Sequence, residues 1–152
     1  MAATRTDARS EASRIAQFIG LPKWQLMDDL GLVALINKGF PVATATTVAK
    51  RVDPHGRFLH PTDIIPKSTL HRREKENKHL TKDESEKIFA LSKVFSEVIA
   101  TYHGDLAKAG QFLLSKHPML GGRTPMDLAK ESKAGADLVL KIVSMANAGV
   151  AA

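Results

Sequence analysis

Residues 81–103 read TKDESEKIFALSKVFSEVIATYH. The first four form a capping box: the Thr81 hydroxyl can accept from the Glu84 backbone N–H, and the Glu84 carboxylate can reach back to the Thr81 N–H. Beyond the cap, Ile88, Leu91, Phe95, Val98, Ile99 and Tyr102 recur every three or four residues, the spacing of one buried helical face. Gly104 ends the pattern. The 152-residue chain reads as helical nearly throughout, which predicts an all-α fold. The rest of the sequence agrees, with no sustained apolar–polar alternation and only short β-branched runs.

Toward the C terminus, a helix is expected over about Leu106 to Ser115, burying Leu106, Ala109, Phe112 and Leu113. Pro118-Met-Leu-Gly-Gly-Arg-Thr-Pro125 follows, and its two glycines supply positive φ or a close backbone approach. Thr124 can cap a short helix from Pro125 to about Glu131, with Pro125 at its first position and Asp127 favoured by the dipole. The last helix spans about Gly135 to Ala148, with Leu138, Leu140, Ile142, Val143 and Met145 apolar.

Toward the N terminus, Thr62 to Ile65 reads as one helical turn, and a basic helix starts near Pro66 and ends near Asn77. The stretch Asp53 to Pro61 is a turn-rich connector. A helix over about Val42 to Val52 precedes it. Another runs from about Leu26 to Lys38, on the helical spacing of Leu26, Leu30, Val33 and Ile36, and ends at Gly39 before Pro41. Residues 8–19 form an N-terminal helix with Ile15, Ala16 and Ile19 on one side, broken by Gly20-Leu21-Pro22. The expected organisation is an N-terminal helical arm over 1–31 that can dimerise, a helix-turn-helix domain over 32–80 and a helical C-terminal domain over 81–152.

The chain has no cysteine, which excludes a disulfide scaffold, a zinc ribbon and a cysteine nucleophile, and favours a reducing, cytoplasmic setting. No apolar run approaches the roughly 18 residues that a membrane span needs. The first residues lack an apolar core, so no secretory leader is expected. Lys and Arg exceed Asp and Glu by six, which favours an anionic partner. Residues 1–80 hold thirteen Lys/Arg against eight Asp/Glu, and residues 81–152 hold nine against eight, so the excess lies in the first half.

Two features can carry function. The first is the order helix, connector, short turn, tight turn, basic helix over 42–77, which suits a helix-turn-helix whose last element reads DNA. Lys67, Ser68, Thr69, His71, Arg72 and Arg73 fall in the reading window. Arg can pair bidentately with guanine, and Ser and Thr bond several bases. The competing reading is an ordinary exposed amphipathic helix. The second feature is the C-terminal end, uncharged from Ser144 to Ala152. It reads either as a frayed terminus or as a slim plug for a partner's cleft. His55, His60, His71 and His79 lack metal-ligand spacing, so no metal site is expected. Nothing groups a nucleophile, a base and an orienting residue, so no enzyme and no cofactor are expected.

The string Phe112-Leu-Leu-Ser-Lys-His-Pro118-Met-Leu-Gly-Gly-Arg-Thr-Pro125-Met-Asp-Leu128 resembles the signature of the Xre/MbcA/ParS-like antitoxins. Residues 32–41, Thr69 to Arg73, Leu80 to Glu86, Gly135-Ala136 and Gly149-Val150 resemble further stretches of that family, in order. Phe112 stands where many members have Trp, a packing position. The resemblance implies an Xre-like helix-turn-helix followed by a toxin-binding domain, acting as the neutralising half of a type II toxin–antitoxin pair. It implies a cognate RES-domain toxin that consumes NAD or ADP-ribosylates a target, and whose NAD cleft the antitoxin covers. It implies a homodimer within a larger toxin–antitoxin complex, operator DNA as a second partner, repression of its own operon, and no membrane. By the same resemblance, Met145, Asn147, Gly149, Val150, Ala151 and Ala152 match the segment that reaches the toxin. Thr69, Arg72 and Arg73 match the reader helix. The rival expectation is a stand-alone helix-turn-helix transcriptional regulator.

Overall fold

A computed structural model describes residues 10–150. Among them are nine α-helices: α1 Glu11–Ile19, α2 Asp29–Lys38, α3 Ala43–Val52, α4 Pro61–Ile64, α5 Lys67–Glu76, α6 Lys82–Thr101, α7 Leu106–Leu114, α8 Pro125–Glu131 and α9 Lys133–Val150. Single 3-10 turns occur at Trp24–Leu26 and Pro118–Leu120. The all-α expectation holds.

The centre is α6. Its capping box is formed as expected: Thr81 Oγ1 accepts from Glu84 N at 3.1 Å, and Glu84 Oε1 accepts from Thr81 N at 2.8 Å. Helices α1, α2, α3, α7, α8 and α9 all pack against it. It therefore buries more than one stripe. Ser85, Ala90, Ser92 and Val94 are buried along with Ile88, Leu91, Phe95 and Val98, whereas Ile99 and Tyr102 are only partly buried. The two buried serines stay satisfied, because Ser92 donates to the Ile88 carbonyl and Ser85 to that of Thr81. Ser85 Oγ also accepts from Phe40 N at 2.8 Å, which fixes the loop after α2 to the start of α6. Gly39 lies in that loop at φ 102°, and a Cβ there would fall 2.0 Å from the Leu80 carbonyl oxygen.

Helix α1 is built into the same core. Ser10 caps it by accepting from Ser13 N, and Ile15, Ala16 and Ile19 are buried against α3 and α6. The expected start at residue 8 lies outside the described residues. The helix expected from Leu26 begins instead at Asp29, because the Asp28 carboxylate accepts from Gly31 N at 2.7 Å and forms the cap. Of its four periodic residues only Ile36 is buried, and Leu32 joins it; Leu26, Leu30 and Val33 face outward. In α7 Ala109 and Leu113 are buried, while Leu106 and Phe112 are half-buried.

The final helix is longer than expected. It starts at Lys133 and stays helical through Gly149 to Val150, since nothing in Ser144-Met-Ala-Asn-Ala-Gly-Val breaks it and alanine favours it. The segment after Ala148 is thus helix end and not extended tail as far as residue 150.

Candidate functional site

The C-terminal half assembles on one tight loop. His117 N donates to the Arg123 carbonyl, and the Leu120 and Gly122 amides donate to the His117 carbonyl. This closure needs Gly121 at φ 66° and Gly122 at φ 79°. Open space surrounds the place of a Cβ at both, so the glycines serve backbone conformation and not a close approach. Thr124 caps α8 by accepting from Asp127 N at 3.1 Å, with Pro125 at the first helical position, as expected. Arg123 is ion-paired with Glu131 across α8. The His117 ring rests on Phe112, 4.9 Å between centroids, and Phe112 lies 6.3 Å from Tyr102, so Phe112 is a packing residue.

Helix α9 lies on α6 and α8. Ala136, Val139 and Val143 face inward. Gly135 permits the closest approach: a Cβ there would sit 2.0 Å from the Leu128 carbonyl oxygen of α8. On the opposite side, Leu138 is 42% and Met145 56% exposed, with half-buried Ile142 between them. At 3.6 residues per turn, positions 138, 142, 145 and 149 share one outward face. Met119 and Leu114 add exposed apolar side chains elsewhere in this half.

The residues expected to reach a toxin fall at the end of α9. Met145 is on the outward face. Asn147 is tied down, its Nδ2 donating to Glu97 Oε1 at 3.2 Å and to Thr101 Oγ1 at 3.0 Å, both on α6. Gly149 has open space where a Cβ would point. Val150 is the last helical residue, and Ala151 and Ala152 lie outside the described residues. Sequence reading missed the outward placement of Leu138. The signal was present as its spacing of seven from Met145, but an apolar helix offers two such rows and the sequence does not say which packs.

The basic helix α5 follows α3 and the single-turn α4 in the order expected. Its place depends on Asp53, a buried carboxylate that ends α3. Asp53 Oδ2 accepts from Phe58 N at 2.6 Å and Leu59 N at 2.9 Å, and so shapes the Pro- and His-rich connector. Burial pushes its pKa up, but these amides, that of Arg57 and the nearby His60 outweigh burial and hold it below the ordinary carboxylate value. Phe58 then packs beside Gly110 of α7, tying the connector to the C-terminal half.

On α5, Lys67, Ser68, His71 and Arg72 are exposed, and Thr69 and Arg73 are half-buried. Leu70 is buried and anchors the helix. Arg73 is engaged with the core: its Nε lies 3.1 Å from Glu84 Oε1, the carboxylate that also completes the cap of α6. Burial works against the charge on Glu84, yet the Thr81 hydrogen bond and Arg73 together keep its pKa below the ordinary value. Arg73 therefore couples α5 to α6, a role that its place in the reading window did not reveal.

No group of three or more metal-ligating side chains converges among the described residues. No helix among them is long and apolar enough to cross a membrane.

Residues 99–149 match the family model of the antitoxin Xre/MbcA/ParS C-terminal toxin-binding domain. Over that third of its length the chain is similar to the Xre/MbcA/ParS antitoxins. The matched span holds the end of α6, α7, the Gly121-Gly122 loop, α8 and nearly all of α9. The outward row on α9 lies within the span that matches this toxin-binding domain. No curated protein matches the chain.

Proposed function

We propose that this type II antitoxin neutralises a RES-domain toxin by laying the outward row of α9 on it and sending the helix end, Met145 to Ala152, into the toxin's NAD cleft. The observation that carries this reading is the apolar row Leu138–Ile142–Met145, exposed at Leu138 and Met145, inside the span matched to the toxin-binding domain and continuous with an end that has no charged side chain from Ser144 onward. A nucleotide-binding cleft is concave, with a few polar groups. A segment without charged side chains can enter it without burying an unpaired side-chain charge. Asn147 offers an amide to the cleft once it leaves Glu97 and Thr101, a release that exchanges one pair of hydrogen bonds for another.

The same reading gives α5 to operator DNA. Lys67, Ser68, His71 and Arg72 form its exposed side, with Thr69 beside them, while Arg73 holds the helix in place as well as lying near the groove. Repression of its own operon by a homodimer on inverted half-sites follows from that reading. The division proposed is an N-terminal segment 1–31 that supports dimerisation, a DNA-binding region 32–80 and a toxin-binding region 81–152. The exposed basic side of α5 also suits a stand-alone transcriptional regulator, which would bind DNA and leave every NAD-consuming partner active.

The deciding experiment co-expresses the chain with the toxin encoded beside it and follows NAD consumption. The intact chain is expected to protect NAD. A chain lacking residues 145–152 is expected to keep its fold and still bind operator DNA while losing protection. Full protection by the shortened chain would refute the plug.

A further inference from the structure

Two lysines stand at the rim of the contact between α6 and α8 with no anion to neutralise them. Lys87 lies one helical turn before the buried Ala90 and Leu91 of α6, and Lys130 one turn after the buried Met126 of α8. The two helices pack against each other, and both lysines are half-buried. Burial first, and the charge of Lys130 second, hold the Lys87 ammonium below its ordinary pKa. Neither ammonium has an ion-pair or hydrogen-bond partner among the described residues.

The acids close by in the chain do not serve them. Glu84, three residues before Lys87, holds Arg73 and the Thr81 amide. Glu131, next to Lys130, pairs with Arg123. Asp83 and Asp127, four and three residues before the two lysines, are exposed and pair with neither. Partial burial of an unpaired charge is unfavourable, and a like charge beside it adds to the cost. Neutral side chains would cover the α6–α8 contact without that cost, so the pair calls for an anion from outside. Each ammonium is a compact charge with three donors, a good match to phosphate oxygens. Two of them balance a dianion. A carboxylate, or one phosphate of a nucleic-acid backbone, carries a single charge and balances only one.

We propose that Lys87 and Lys130 form a binding site for a doubly charged phosphate, either inorganic or at the end of a phosphomonoester. Bound between the two helices, the anion turns their repulsion into a bridge. Lys130 lies inside the span matched to the toxin-binding domain and Lys87 before it, so occupancy fastens α8 of that span to the central helix. The site uses no residue of the outward row on α9 or of the exposed side of α5, and it stands whatever those two surfaces bind.

The test melts the full chain at constant ionic strength while sodium chloride is exchanged for inorganic phosphate, and separately for sulfate, a second dianion. Isothermal titration with each anion gives the affinity. The parent should gain a melting-temperature rise that saturates with either dianion. Lys87→Met and Lys130→Met should each weaken the titrated affinity at least tenfold and lose the saturating rise. In chloride alone, both variants should melt at or above the parent, because each removes the repulsion; a purely structural lysine would give the opposite. Phosphate and sulfate also stabilise proteins generally by exclusion from the surface, and the methionine variants measure that part. A parent with no saturating response, or a response that persists in both variants as an adventitious ion only, would overturn the site. A glucose 6-phosphate titration separates the sources: binding as tight as phosphate supports a phosphomonoester, and no binding restricts the site to the inorganic ion. If phosphate and sulfate have no effect while both variants weaken binding to a mixed-sequence DNA duplex, the lysines serve a nucleic-acid backbone and the dianion site falls.

Discussion

Replacing Gly135 by alanine should destabilise this protein, against the usual rule for helices. Inside a helix, Gly→Ala commonly stabilises by up to about 1 kcal/mol, because glycine loses more backbone freedom on folding. Gly135 has no positive φ that would forbid a side chain. What opposes alanine is space. The added Cβ would lie 2.0 Å from the Leu128 carbonyl oxygen and 2.9 Å from its carbon. A backbone carbonyl of α8 cannot rotate aside as a side chain can, so α8 and α9 must separate by about 1.4 Å to restore an ordinary contact of 3.4 Å. Separation loosens the packing of Met126 and Ala129 against Ala136 and Val139, all buried. Overpacking of this kind costs about 1–3 kcal/mol, which exceeds the gain in propensity. For a chain of this length the melting temperature should fall by about 2–4 °C per kcal/mol. Gly149→Ala in the same helix is the control, since nothing lies within 4 Å of its Cβ; it should be neutral or slightly stabilising. Urea unfolding followed by circular dichroism at 222 nm measures both variants. If Gly135→Ala proves as stable as the parent, the close approach of α8 and α9 is wrong.

Asp53→Asn should cost about 1–3 kcal/mol, because two backbone amides lose a charged acceptor, and the loss should appear as a lower urea midpoint. The pKa values of Asp53 and Glu84 are both held below the ordinary carboxylate range in the folded chain. Their contribution to stability is therefore complete above the unfolded values, near pH 4, and disappears as pH falls through the lower folded values. Urea midpoints should hold from neutral pH to about 5 and then drop, with a smaller drop in Asp53→Asn. Arg72→Ala and Arg73→Ala should separate: the first weakens operator binding in a salt-dependent titration with little change in melting temperature, while the second lowers the melting temperature by freeing Glu84 from its partner. Equal effects of both on stability would argue against the pairing of Arg73 with Glu84.

Much of the local structure was legible before any coordinates. The cap at Thr81 and the Thr124–Pro125 helix start depend on residues within three or four positions of one another, and both formed as read, while the central helix ends at Thr101, short of Gly104. The C-terminal domain was legible for the same reason: its signature is a compact loop whose glycines, proline and caps lie close together in the chain. Misreadings came where a choice of face or a distant partner decided. The row Leu26, Leu30, Val33 and Ile36 has the period of a buried stripe, yet the competing row through Leu32 and Ile36 meets α6, and the periodicity of α2 is equal for both.

The amino-acid sequence by itself determined that the chain is helical, where most helices begin and end, and which family its C-terminal third resembles, because caps, turns and periodicity act over short chain distances. Tertiary structure alone decided that α6 is buried on several sides, since that depends on six helices arriving around it. It also decided that Arg73 serves Glu84, that Asn147 is held by Glu97 and Thr101, and that Gly135 faces a carbonyl. Those partners lie 7 to 50 residues away in the chain, as Asn147 and Glu97 illustrate at the far limit, and only packing brings them within hydrogen-bond or van der Waals reach.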